Sequence, residues 1–432
     1  MCCVIGLDLG TSRFKGVLVD SKTKQILASA ERTVRYLPTE QPGRMEIDPK
    51  EHRQCFISLL RELTAQSKGY PVQAIACASA AGNTLLLDPK TGMPLTPVIS
   101  WLDARAQKET LPALAGLDPE KLRELTGWPV VEIMPTAHLA WLLRHEPEKL
   151  QSAFVSQNHE YLLWFLTGVH AIDLSSAVPF RLVDQLKESY APELIARFGL
   201  TEQQLPQLVD VGTEIGHVSI AAGRETGLSP ETRVFAGCFD HPAAARGENI
   251  LAAGELLLSC GTSWVGFFPC RDREKLLKAK LLIDPFLRNE NMMWGGMFSI
   301  PGIGLVIDEY VKRYIAPGCD SPMRRFDELA AAHNAGSCRI DLEKPFSVPD
   351  GTPGEAARAV MESAARLLNR ELDRLKPFGI AFHSAVMVGG PSRSPVLPDI
   401  IKAETSLNIR IGSAHSGAFG AAMIAAHGLM NH

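Results

Sequence analysis

Val4-Ile5-Gly6-Leu7-Asp8-Leu9-Gly10-Thr11-Ser12 is the stretch that decides the fold of this chain. Residues 4–8 form a short apolar run ending on a carboxylate, residues 10–15 a turn of small residues, and residues 17–20 a second β-rich run, with a further strand at 25–28. That order opens a sheet with hairpins. A strand that delivers Asp8 beside a Gly-Thr turn can hold a hydrated Mg2+, while backbone N–H groups and the Thr11 hydroxyl meet phosphate oxygens. Ser12 extends the tip and Lys15 adds positive charge. The same residues also suit an ordinary hairpin with Gly10 at positive φ.

Gly10-Thr11-Ser12 has a twin in Gly261-Thr262-Ser263, 251 residues later, again between an apolar strand (255–260) and a return strand (265–268). The recurrence points to a duplicated architecture with one small-residue hairpin tip in each half. Two such tips facing each other would clamp a triphosphate. Around them, strand and helix signals alternate. Residues 51–66, 136–144 and 159–166 read as helices, and 74–78, 84–88 and 234–236 as strands. A long amphipathic helix at 355–376 leads to a strand at 385–388, a helix from about 396 and a small-residue helix at 417–426. This is an α/β layered pattern, and 432 residues with 46% hydrophobic side chains are enough for two domains.

Two further segments can carry chemistry. Asp240-His241 follows the strand at 234–236 and opens a run of small residues, so its carboxylate is placed either to accept the proton of an attacking hydroxyl or simply to cap a helix. Gly389-Gly390 after a strand lets a planar ring lie against the backbone, with Ser394 within reach, although an isolated turn would look the same. No G-x-x-x-x-G-K-[ST] occurs, which excludes a P-loop. Gly302-Ile303-Gly304 lacks the third glycine of a dinucleotide fingerprint.

Composition removes other classes. A net charge of −4 with scattered basic residues gives no footprint for nucleic acid. Asp8 interrupts the N-terminal apolar stretch too early for a signal peptide, and no run is long enough to cross a bilayer. Nine cysteines without C-x-x-C pairs and twelve histidines without H-E-x-x-H argue against a disulfide framework or a zinc cage. A reduced cytoplasm is the expected compartment.

Taken in order, these pieces resemble the FGGY carbohydrate kinases, relatives of actin and hexokinase, and closest in feel to their xylulokinase-like members. Asp8 through Ser12 looks like the first phosphate motif, Trp101-Leu102-Asp103-Ala104-Arg105 the Trp-x-Asp-x-Arg segment, and Leu166-Thr167-Gly168 with Asp173 and Ser175 to Ala177 the helix-loop signature. Gly237 through Gly247 resembles the catalytic Asp segment, Gly261-Thr262-Ser263 the second phosphate motif, and Gly389 through Ala422 the adenosine region. The resemblance covers nearly the whole chain. It implies two ribonuclease-H-like domains around a central cleft, a sugar-binding domain over 1–247 and a nucleotide-binding domain over 248–432. It also implies ATP and Mg2+ as cofactors, a small sugar or polyol as substrate, and leaves a homodimer open. By position it makes Asp240 the general base and Asp8 the Mg2+ organiser. Thr11, Ser12, Lys15, Gly261 and Thr262 would meet phosphates, Gly390 and Ser394 the adenosine, and Gly302 the nucleotide cleft. Asn83, Trp101, Asp103 and His241 would sit near the sugar.

Three departures bear on the substrate. Better-known members carry long polar or sulfur side chains where this chain has Ala81-Gly82, which either leaves room for a bulkier polyol or hands the hydrogen bonding to Asn83. His138 stands where the family often has Lys. The stretch between Gly304 and Glu355 is short and has no Gly-x-Arg-x-Pro counterpart, so part of the cleft rim or of a subunit interface is expected to be missing. A catalytically silent sugar or nucleotide sensor is the alternative these departures raise, and an actin-type ATPase acting on protein clients a weaker one.

Overall fold

Strand β1 (Cys3–Leu9) is apolar except at Asp8 because it is covered on both sides of its sheet. Antiparallel β2 (Arg13–Asp20) pairs along one edge and parallel β4 (Val72–Ser79) along the other. The structure, a computed structural model, describes residues 2–106, 108–129 and 134–431. The chain parts into two units, Met1–Gly247 with His415–His432 and Glu248–Ala414.

In the first unit the sheet runs β5 (Glu214–His217), β6 (Arg233–Phe239), β4, β1, β2, β3 (Ile26–Thr33). Helix α1 (Pro49–Gln66) covers one face with Phe56, Leu59, Leu60 and Leu63; the Asp48 carboxylate caps it by accepting from the Lys50 N–H, and proline sits in its first turn. Helices α2 (Pro135–His145) and α3 (Asn158–Thr167) follow, and α4 (Asp240–Gly247) leaves directly from the end of β6. Gly10 does not have positive φ. It is needed for close approach instead, since a Cβ there would stand 2.9 Å from the Arg13 carbonyl oxygen.

The second unit repeats the plan. Its sheet runs β9 (Leu282–Leu287), β10 (Met293–Ile300), β8 (Trp264–Cys270), β7 (Glu255–Cys260), β11 (Ser384–Gly389), β12 (Asn408–Ile411). As in the first sheet, an antiparallel meander (β7-β8-β10, like β1-β2-β3) continues into parallel strands. The long helix α7 (Pro353–Leu375) enters between the meander and the parallel strands, as α1 does. Helices α5 (Ile303–Tyr310), α6 (Pro322–Ala332) and α8 (Leu397–Thr405) complete the unit.

The last helix, α9 (Ser416–Asn431), corrects the expected division at 248–432, because it packs in the first unit. Small residues make this the better burial. A Cβ on Gly6 of β1 would lie 2.0 Å from the Ala418 carbonyl oxygen, and one on Gly420 would lie 1.8 Å from that of Ala243 in α4. Backbone therefore meets backbone, and the alanine face of α9 joins Val4, Ala76 and Phe235 in one core cluster.

Candidate active site

Asp8 ends the central strand of the first unit, and Asp240 opens α4 at the end of β6; β1, β4 and β6 are parallel, so both carboxylates stand at carboxyl ends of strands. Asp8 keeps some solvent contact yet is enclosed by protein on most sides. That burial, reinforced by the charge of Asp240 and opposed by Lys15, its cross-strand partner, pushes the Asp8 carboxyl up to about 7. On its other side Gly417, in the first turn of α9, comes so near that a Cβ would stand 2.8 Å from Oδ2. Asp240 Oδ1 accepts from the His241 backbone N–H at 2.7 Å, and the His241 ring lies edge-on to Phe239. The strand end is fixed from below, since the Phe239 N–H donates to the buried Ser175 hydroxyl at 3.1 Å.

Thr11 and Trp101 are joined directly. The indole Nε1–H donates to Thr11 Oγ1 at 2.9 Å, which ties the Gly-Thr-Ser tip to the Trp-x-Asp-x-Arg segment; Ser12 is exposed at the tip. Asn83 and Asp103 come near this site, but not as free ligands. Asn83 is buried, its Oδ1 accepting the Trp101 N–H at 3.0 Å and its Nδ2 donating to Asn158 Oδ1 at 2.9 Å. Asp103 is fully buried in a two-pronged pair with Arg105 at 2.8 and 2.7 Å, and accepts the N–H groups of Met45 and Arg105 as well. Burial opposes its ionisation, but these partners outweigh burial and hold the carboxyl below its usual value. Both side chains spend these hydrogen bonds on shaping the Trp101 loop.

The space left by Ala81-Gly82 is taken. Gly82 has φ +100, its N–H donates to Gln157 Oε1 at 2.6 Å, and a Cβ there would lie 3.2 Å from Trp101 Cβ and 3.5 Å from Met134 Cγ. His138 is buried against the Thr84 hydroxyl, Nδ1 to Oγ1 2.9 Å, and burial drives it down to about 3. It is neutral at physiological pH and does not reproduce the charge of a lysine.

In the second unit the tip Gly261-Thr262-Ser263 is braced by α5. The Gly304 N–H donates to the Thr262 carbonyl at 2.9 Å, and the Gly302 N–H to Ser263 Oγ at 3.0 Å. Gly261, Thr262, Gly304, Gly390 and Ser394 line one largely apolar cavity of about 1000 Å³, walled by α6, α7 and the start of α8. Gly302 braces the tip from behind, and Gly304 is the glycine that lines the cavity. Ser394 Oγ–H donates to Asp327 Oδ1 at 2.5 Å, and burial raises the Asp327 carboxyl. The rim expected to be missing between Gly304 and Glu355 is in part supplied by α6, which carries Asp327. That residue and the α7 wall of Val360, Met361 and Ala364 were not singled out from sequence, and Gly304 was weighed only as part of an incomplete dinucleotide fingerprint; the amphipathic pattern of α6 was the available signal.

The family description "FGGY family of carbohydrate kinases, N-terminal domain" matches residues 3–247. Two xylulose kinases are similar over nearly the whole chain. The Bacillus subtilis protein is 26% identical over 454 residues, covering 98% of this chain and 88% of that protein. The one from Escherichia coli K12 is 28% identical over 442 residues, covering 98% and 89%. Among solved structures, Plasmodium falciparum glycerol kinase with ADP has the same fold, with a TM-score of 0.89 at 18% identity over 100% of this chain and 90% of that one.

Proposed function

The chain belongs to the FGGY family of carbohydrate kinases, and from that premise we propose how its residues divide the transfer of a phosphoryl group from ATP to a hydroxyl of a small sugar or polyol. It is a carbohydrate kinase. The xylulose kinases to which it is similar make a ketose of about that size the natural first acceptor to test. Asp240 is the general base that accepts the proton of the attacking hydroxyl. Trp101 and His241 line the acceptor, and Thr11, Ser12 and Lys15 contact phosphate oxygens. In the second unit Gly261 and Thr262 hold phosphates, while Gly390 and Ser394 receive the adenosine in the cavity beside α6 and α7.

Asp8 fits Mg2+. Among the described residues no cluster of three or more His, Cys, Asp or Glu could hold a metal by itself. Mg2+ does not need one, because it is commonly bound through one or two carboxylates with waters and nucleotide phosphates completing its shell. Burial first and the charge of Asp240 second raise the Asp8 carboxyl, and Lys15 offsets them only in part, so its ionised form gains from a further cation. When bound, the ion supplies neutralisation of phosphate charge. The residues around it do the rest, by positioning: phosphoryl transfer asks for alignment and charge balance more than covalent chemistry.

The observation that carries this reading is the carboxylate pair itself, two aspartates at the carboxyl ends of β1 and β6, strands that flank β4, with the charge of Asp240 reaching Asp8. A silent sensor has no support, since Asp8, Asp240 and both Gly-Thr-Ser tips are retained. Acceptor-stimulated ADP release tests the proposal, with Mg·ATP and D-xylulose, D-gluconate and glycerol as acceptors. At least one acceptor should raise turnover well above the acceptor-free rate; no stimulation by any member of a broad sugar and polyol panel would overturn it.

A further inference from the structure

Arg181 is buried with only 5% of its surface exposed, and among the described residues no carboxylate pairs with it. A buried guanidinium that no described carboxylate neutralises is costly, so its surroundings have to explain it. Its Nη1 donates to the Thr136 hydroxyl at 3.0 Å and its Nη2 to the Met134 thioether at 3.4 Å, and among the described residues its buried Nε has no partner. A thioether is a weak acceptor and a poor substitute for an anion. Both Arg181 and Met134 are held at positive φ, 56° and 74°, a conformation that costs free energy in a non-glycine residue and clusters at functional sites.

Met134 connects this cation to the acceptor side of the first unit. Its Sδ lies 3.7 Å, and Trp101 Cβ 3.2 Å, from the position a Cβ on Gly82 would take. The guanidinium thus stands behind one flexible side chain in the wall that Trp101 and Gly82 form. Methionine, unbranched and with three rotatable bonds, yields readily. We propose that Arg181 is the specificity-determining residue for the acceptor, and that the preferred acceptor is a sugar acid of the aldonate class, whose carboxylate displaces the Met134 thioether and pairs with the guanidinium. This rests on the kinase reading and on the Trp101 loop forming the acceptor site. A carboxylate satisfies Nη2 and Nε together as a two-pronged pair, which a neutral ketose or polyol does not. The hydroxyl that receives the phosphoryl group then lies at a distance from the carboxylate, toward Asp240.

The test compares kcat/KM for D-gluconate, L-gulonate and D-xylonate with that for D-xylulose and xylitol, in the wild type, Arg181→Met and Arg181→Lys. At least one aldonate should exceed both neutral acceptors. Arg181→Met should lower kcat/KM for that aldonate by about 100-fold, chiefly through KM, and by at least about 10-fold more than for D-xylulose. Arg181→Lys, which keeps the charge without the fork, should fall between. Calorimetric binding of the same aldonates to the wild type needs no variant and should show affinity above that for xylitol. A neutral acceptor that outperforms all three aldonates would overturn the inference and leave the kinase reading standing. So would an equal loss for every acceptor in a variant of unchanged thermal stability, since that is the mark of a structural role. No stimulation by any acceptor would defeat both.

Discussion

Gly304→Ala is the substitution whose effect follows most directly from the geometry of the second tip. A Cβ at this position would stand 2.2 Å from the Gly261 carbonyl oxygen and 3.1 Å from that of Thr262. Real Cβ atoms essentially never come nearer than 3.0 Å, so the tip or the first turn of α5 must move by about 0.8 Å. The motion also strains the Gly304 N–H to Thr262 carbonyl bond that braces the tip. A misplacement near 1 Å costs on the order of 100-fold when a site works by alignment, which corresponds to about 2.7 kcal/mol of transition-state stabilisation. Overpacking adds roughly 1–3 kcal/mol of destabilisation. Gly390→Ala is the companion variant. Gly390 lines the same cavity, but a Cβ there would meet nothing within 4 Å. It should therefore raise KM for ATP while leaving thermal stability unchanged. Steady-state ADP release with ATP and acceptor varied separately, beside thermal unfolding of each variant, reads both effects. Gly304→Ala with kcat/KM for ATP within threefold of wild type would refute the claim that this tip aligns the phosphates.

Trp101→Phe removes the indole N–H that donates to Thr11 Oγ1 while keeping most of the ring. A loss of about 5- to 10-fold in kcat/KM is expected from one hydrogen bond that positions the first tip, and unchanged kinetics would show that the bond positions nothing. The Asp8 carboxyl gives a pH prediction with a definite sign. The folded protein holds this proton more tightly than the unfolded chain does, so stability present below the ordinary value of 3.8 is lost as pH rises toward about 7. Without Mg2+ and nucleotide, Asp8→Asn should raise the melting temperature relative to wild type at pH 8 and have little effect near pH 4; equal shifts at both would contradict it. Since a metal-binding carboxylate must be ionised, Mg2+ binding with ADP should weaken below pH 7 more steeply in the wild type than in Asp8→Asn, as calorimetry at several pH values would register.

The parts of this protein that could be read from its residues are those where local pattern and chemistry coincide. Asp8 through Ser12 and Gly261 through Ser263 are both apolar strands broken by small hydroxyl residues, and both fold as hairpin tips between antiparallel strands. Asp240 sits where the change from β-rich to small-residue sequence placed it, at the start of a helix. What local pattern does not carry is how side chains spend their hydrogen bonds. Asn83 and Asp103 looked available and are committed to Asn158, Trp101, Met45 and Arg105, partners that lie up to 75 positions away in the chain. Arg181 stayed unseen for the opposite reason, because a single arginine between Phe180 and Leu182 gives no sign that it will be buried with no described acid beside it. The return of α9 to the first unit escaped too, although Gly6, Gly420 and Gly247 are the residues that make its close packing feasible.

The account depends most on the carboxylate at position 240 acting as the base. Acceptor-dependent ADP release by Asp240→Asn, measured together with ATP and acceptor binding to the same variant, tests this directly. Turnover should fall by about 10²- to 10⁴-fold with both ligands still bound near wild-type affinity. A variant that retains turnover within tenfold of the wild type would contradict it.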